Sequence, residues 1–188
     1  MTLYAFILFS HIAGAFFLFA GLALEWAAIS FLLRDPDPVQ TKSWVHIAGV
    51  APRFYGPAIG IIFLSGTYQG MRMKAWGQGW IGVALVTLFV IGSIGLALTG
   101  PRIRAAMKTL RDSPTGVSTV LRDRLHDPML LASVRLRIVL VLGVLLLMVS
   151  KVNLPDSLVI IACATAIGMV MALSAWRRSA IRGARALN

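Results

Sequence analysis

Five runs of mostly apolar residues, separated by short polar breaks, constrain this chain more than any other feature of it. Each run is close to the ~20 residues that cross a hydrocarbon core, where only a helix or a closed barrel can satisfy its own backbone. The runs lie at about 3–33, 48–70, 80–100, 133–151 and 156–176. Composition agrees, with 58% hydrophobic and only 13% charged residues, against the roughly one quarter charged of a soluble domain. The reading is an all-α, polytopic membrane helical bundle of five transmembrane helices, forming one integral membrane domain over residues 1–188. The first run has no basic leader, is too long for a signal's apolar region and is followed by no small-x-small site. It reads as a retained helix.

The breaks have physical causes. RDPDPVQTKSW (34–44) carries two prolines and alternating charge, and MRMKAWGQGW (71–80) is short, polar and edged by tryptophans as at a membrane interface. SKVNLPDS (150–157) reads as a tight turn between the last two spans. The basic loop 101–132 ends in LRDRLHDPMLL, which reads as an amphipathic helix on the membrane surface. With the N-terminus outside and the C-terminus inside, 14 Lys and Arg fall on the cytoplasmic side, Arg135 and Arg137 among them, and 3 on the outer side (Arg72, Lys74, Lys151). That asymmetry is what the positive-inside rule expects. The net charge of +11 then reports cytoplasmic loops of a multi-pass protein, not a nucleic-acid partner. The single cysteine, Cys163, lies in an apolar run, so neither a disulfide framework nor a Cys-based metal site is expected. Walker, GxSxG, HExxH and GxGxxG motifs are all absent, as are internal repeats and paired broken helices, so most soluble-enzyme chemistry has no support.

Ionisable residues inside a span are costly and mark functional or packed interior positions. Here they are His11, Glu25 (the only glutamate) and Arg53, with His46, Arg135, Arg137 and Lys151 nearer the boundaries. His11 and Glu25 are fourteen residues apart, which places them within about 40° on one helix face but about 21 Å apart in depth. They serve two different levels. Glu25 and Arg53 match in depth, which predicts a buried ion pair. Segments FLSGTYQG (63–70), GWIGVAL (79–85) and LLMVSK (146–151) reach the level of His11, and its imidazole can ligate haem iron or another metal there, with Met148 and Lys151 as partners. Gly14 and Gly21 share that face; they serve either tight helix packing or a slot for a planar cofactor. GVAPRFYGPAIG (49–60) predicts a kink or a cavity, and His46 and His126 fall in or beside the cytoplasmic loops with no assigned role.

HIAGAFFLFAGLALEW, GPAIGIIFLSGTYQG, GWIGVALVTLFVIGSIGLALTGPRIR and VRLRIVLVLGVLLLMVSKVNL follow one another in an order that resembles two bacterial groups. One is the uncharacterised integral membrane family near the copper-resistance CopD proteins; the other, more distant, is the HemJ-type protoporphyrinogen IX oxidase. The resemblance covers the first four spans, about 3–151, and makes the fifth a C-terminal addition to a four-helix core. It implies a bacterial inner (cytoplasmic) membrane and a haem b ligand at the first-helix histidine, here His11. Those oxidases carry a lysine after the GW of the third helix; here none lies between Trp80 and Arg102.

Three functions follow as expectations. The first is a bundle that binds haem b or a related tetrapyrrole through His11, with Gly14 and Gly21 as clearance, for a redox or electron-transfer role. The second is a non-enzymatic accessory or scaffold subunit of a larger complex, or a homo-oligomer, assembled through small residues such as Gly92, Gly95 and Gly100. The third is a small-ion or proton pathway through His11 and Glu25.

Overall fold

The computed structural model describes residues 2–34, 37–112, 119–125 and 127–185, with side chains at all of these except 119, 122, 123 and 175–185. His126 lies outside the described residues. Helix α1 spans Leu3–Leu32, α2 Pro38–Val50, α3 Pro52–Arg72, α4 Gly79–Ile94, α5 Gly100–Asp112, α6 Thr119–Leu125, α7 Pro128–Ser150 and α8 Leu154–Arg185. A single 3-10 turn, Ala75–Gly77, precedes α4, and a π-helical segment, Gly95–Thr99, joins α4 to α5 without a break. Five stretches are long and apolar enough to cross a membrane: Leu3–Leu32, Pro38–Arg72, Gly79–Asp112, Pro128–Ser150 and Leu154–Ser174.

Two of the expected breaks are helix starts. Asp37 caps α2 by accepting the Gln40 N–H at 2.9 Å, and Pro38 takes the first helical position, where its missing N–H costs nothing. Most of 34–44 is therefore helix. Asp127 and Pro128 repeat the device: Asp127 Oδ1 accepts the Met129 N–H at 2.9 Å and α7 begins five residues before the expected start at 133. LRDRLHDPMLL is thus not one surface helix. It is the end of α6, a cap, and the buried Leu130 and Leu131 of the fourth span. The basic stretch after Gly100 is the helical continuation of the third span, and Arg102 Nε, 2.7 Å from Asp127 Oδ2, ties it to the start of α7.

The second and third spans have 35 and 34 residues, about 50 Å of helix against about 30 Å of hydrocarbon. At the Glu25 end the surplus folds into a small core of its own, where Leu32 of α1, Val45 of α2, Ala106 of α5 and Leu121 and Leu125 of α6 pack together. Within the membrane the core is Leu18 and Leu22 of α1, Tyr55 and Ile62 of α3, Leu88 and Ile91 of α4, and Leu140 and Leu147 of α7. Helix α1 lies along α3, and α8 lies mainly along α7. Gly143 against Ala164 and Gly168 against Leu136 close the latter seam. The outer side of α8, with Leu158, Val159, Ile167 and Val170, faces outward.

Candidate functional site

At the Glu25 level a polar cluster is sealed inside the bundle. Glu25 and Arg137 are both wholly buried, with Arg137 Nη2 donating to Glu25 Oε2 at 2.6 Å. Tyr55 OH donates to the other carboxylate oxygen at 3.2 Å. The same Nη2 donates to Thr99 Oγ1 at 3.0 Å, Thr99 lies 2.8 Å from Ser133 Oγ, and Ser133 donates to the Leu130 carbonyl at 2.9 Å. The donors run in one direction from the guanidinium to a backbone oxygen. Arg137 Nε and Nη1 have no hydrogen-bond partner among the described residues. The guanidinium carbon is 5.3 Å from the Tyr55 ring centroid, close enough for a cation–π contact, and a Cβ at Gly95 would stand 3.0 Å from Nη1. The π-helical segment brings both Gly95 and Thr99 to the guanidinium, a local widening of the kind that often marks a specialised site.

This corrects the expected Glu25–Arg53 pair. Arg53 is exposed. It precedes Tyr55 by two residues, about 200° around the helix, so the turn that brings Tyr55 to Glu25 points Arg53 out of the bundle. Arg137 belongs to the interior and not to a cytoplasmic boundary. With α7 starting at Pro128 it lies nine residues into the helix, about 13 Å deep. Arg135, two residues before it, faces α8 and donates to the Met171 carbonyl at 2.8 Å.

The His11 level is built differently. His11 Nδ1 is 3.0 Å from Ser65 Oγ, and that hydroxyl donates to the Ile61 carbonyl at 2.5 Å. With its proton so used, Ser65 accepts from Nδ1–H, which assigns the tautomer and leaves the lone pair on Nε2. A cavity of about 300 Å³ opens beside the ring. The three segments expected at this depth all contribute: Gly66 and Gln69 from α3, Trp80 and Ala84 from α4, Met148 and Lys151 from the end of α7. Its exposed members, Tyr4, Leu8, Met73 and Lys151, come from helix ends or connections, so the mouth is at that end of the bundle. A second void of about 30 Å³ continues beneath, and His11 is the only polar residue among its lining of Leu, Ile, Val, Ala, Phe and Met.

His11, Met148 and Lys151 therefore line one cavity. Gly14 and Gly21 do not. A Cβ at Gly14 would stand 3.0 Å from Ile62 Cγ1, and one at Gly21 would stand 3.1 Å from Tyr55 Cβ. The clearance expected for a planar ring is taken up by α3. Gly92 and Gly95 likewise face Ile59 and Arg137 inside the bundle and not a partner surface. Ser65, Gln69 and Trp80 were not singled out as site residues, although the first two lie in FLSGTYQG, the segment placed at the level of His11.

The site's dimensions can be set against a tetrapyrrole. An apolar cavity of about 150 Å³ holds one benzene, so 300 Å³ suits a molecule of about twelve non-hydrogen atoms, a fraction of a haem. The macrocycle would have to displace Ile62, Leu88 or Val144, all buried walls. The residues present do not frame it. Among the described residues no group of three or more His, Cys, Asp or Glu is placed to hold a metal ion. Between the two levels, apart from that small void, the bundle is packed with Leu18, Leu22, Ile62, Leu88 and Ile91, while Thr87 donates to the Val83 carbonyl of its own helix.

No protein-family model, curated protein or solved structure matches the chain, so the site is read from its own residues.

Proposed function

We propose that this multi-pass protein is a binding protein of the cytoplasmic membrane, N-terminus outside, that holds a small, largely apolar molecule in the His11 cavity. The observation that carries the reading is the cavity itself. About 300 Å³ stands open beside an imidazole whose Nδ1 is held by Ser65, at the lower end of the ~300–1,000 Å³ typical of ligand sites. The wall is mostly apolar, with a few polar groups that fix orientation, which is the usual make-up of such sites. His11 accepts a hydrogen bond from the ligand, and Ser65 holds the ring in the tautomer that does so. The excess of Lys and Arg at the Glu25 end supports the orientation, and it survives moving Arg137 to the interior.

Photolabelling of the purified protein in nanodiscs, with a ten-carbon alcohol bearing a diazirine, tests this. Adducts are expected on cavity segments 62–85 and 144–151 in excess over the outward-facing 158–170 of α8, and Ala84→Phe, which fills the cavity, should remove the excess. Labelling confined to α8, or an excess that Ala84→Phe leaves intact, would contradict the reading.

A further inference from the structure

The rim of the cavity carries more chemistry than a site for a neutral apolar molecule needs. Among its described lining residues there is no Asp or Glu, and the one formal cation is Lys151. Lys151 closes α7 in the left-handed conformation, φ 48°, with its N–H on the Leu147 carbonyl. Glycine or asparagine adopts that conformation at lower cost, yet a lysine occupies the position and lines the mouth. A second, independent observation concerns another lining residue, Gln69. The Gln69 amide nitrogen is buried and has no hydrogen-bond partner among the described residues, and Gln69 forms part of the wall. Buried donors of this kind are normally satisfied, so this one calls for an acceptor that the described residues do not supply. His11 lies eight residues from the start of α1, about 12 Å along the helix, so the site has a cationic mouth and an acceptor at its floor.

Resting on the reading of this cavity as a ligand site, we infer that its ligand is an anionic amphiphile. An apolar body of about ten carbons lies against Ile62, Leu88 and Val144, and a carboxylate or phosphate head meets Lys151 and Gln69 at the rim. A charged head shared by a cation and an amide donor is held by charge-assisted hydrogen bonds, roughly twice as strong as neutral ones. Two sources present this chemistry: a free single-chain carboxylate, or an anionic phospholipid of the surrounding leaflet with one acyl chain drawn into the cavity.

The test compares matched diazirine probes of ten carbons, a carboxylate and the corresponding alcohol, in phosphatidylcholine nanodiscs. Each cavity signal is normalised to labelling of α8 at 158–170, which removes differences in membrane partitioning. In the wild type the carboxylate should label the cavity about fivefold or more over the alcohol, as one charge-assisted contact provides. Lys151→Asn, which suits the left-handed turn, should bring that ratio to near one while alcohol labelling persists; Gln69→Leu should lower it partway. Adding phosphatidylglycerol identifies the source. Competition with the carboxylate assigns the head to a bilayer lipid, and its absence assigns it to a free amphiphile; both outcomes support anion selection. A carboxylate-to-alcohol ratio near one in the wild type, or one that Lys151→Asn leaves unchanged, overturns the inference while the alcohol result upholds the cavity. Failure of both probes to label the cavity overturns the underlying reading with it.

Discussion

Glu25 and His11 stand on one face of α1, and the bundle surrounds them in opposite ways. Around Glu25 the carboxylate meets an arginine and a tyrosine, the arginine runs on through Thr99 and Ser133 to a backbone carbonyl, and Gly95 closes over the guanidinium. Around His11 there are the Ser65 hydroxyl, the Ile62 backbone and then open space. A buried charge must be compensated within the fold or it destabilises it, so the Glu25 level is closed by necessity. A neutral imidazole carries no such demand, and a half-satisfied one beside a cavity is where the protein can accept something from outside. The same helix therefore carries a structural lock and a receptive site, insulated from each other by leucine and isoleucine.

The largest effects are expected at the lock. Arg137→Ala or Glu25→Ala leaves an uncompensated buried charge and should cost about 3–5 kcal/mol, read as a large fall in melting temperature in detergent. The double variant Glu25→Gln with Arg137→Met removes both charges and should recover most of that loss. If the double variant is as unstable as either single one, charge compensation is not what the cluster provides. A smaller loss is expected at the α1–α3 seam. Gly14→Leu or Gly21→Leu forces a side chain into Ile62 or Tyr55 and should cost about 1–3 kcal/mol by overpacking. Gly56→Leu, where nothing lies within 4 Å, is the matched control and should melt like the wild type. Equal losses at Gly14 and Gly56 would break the distinction between packed and open glycines.

At the receptive level the stability effects shrink. His11→Leu removes no charge pair, and Ser65 keeps its bond to Ile61, so the melting temperature should change little while cavity labelling is lost. Arg53→Ala should be indistinguishable from the wild type in melting, because the side chain points out of the bundle; a loss approaching that of Arg137→Ala would reinstate Arg53 as Glu25's partner. Purified protein expressed with ample haem should show no Soret band in a reduced-minus-oxidised spectrum, and a stoichiometric band would mean that the cavity walls yield to a macrocycle.

Much of this was legible in the residues. Apolar length alone marks the five spans, because hydrocarbon leaves the backbone few options. The separate depths of His11 and Glu25 follow from helical rise, and the segments that meet at His11 follow from the same arithmetic applied to the neighbouring spans. The partner of Glu25 was hidden by a helix boundary. Asp127 and Pro128 read as part of a surface helix when they are a cap and a first turn, and a span start five residues too late moved Arg137 from the interior to the rim. Depth also proved insufficient without direction, since Arg53 matches Glu25 in level and faces the other way. The roles of Gly14 and Gly21 depended on what packs above them, which a single helix's sequence does not specify. The π-helical turn at Gly95–Thr99 has no clear local signal beyond its one glycine, Gly95.

The most direct test of two insulated levels is cavity photolabelling by the ten-carbon alcohol in two variants side by side: His11→Leu, and the charge-free double Glu25→Gln with Arg137→Met. The account predicts that His11→Leu loses the labelling at an unchanged melting temperature, while the double variant keeps it. Labelling that survives His11→Leu, or that vanishes in a folded double variant, would contradict it.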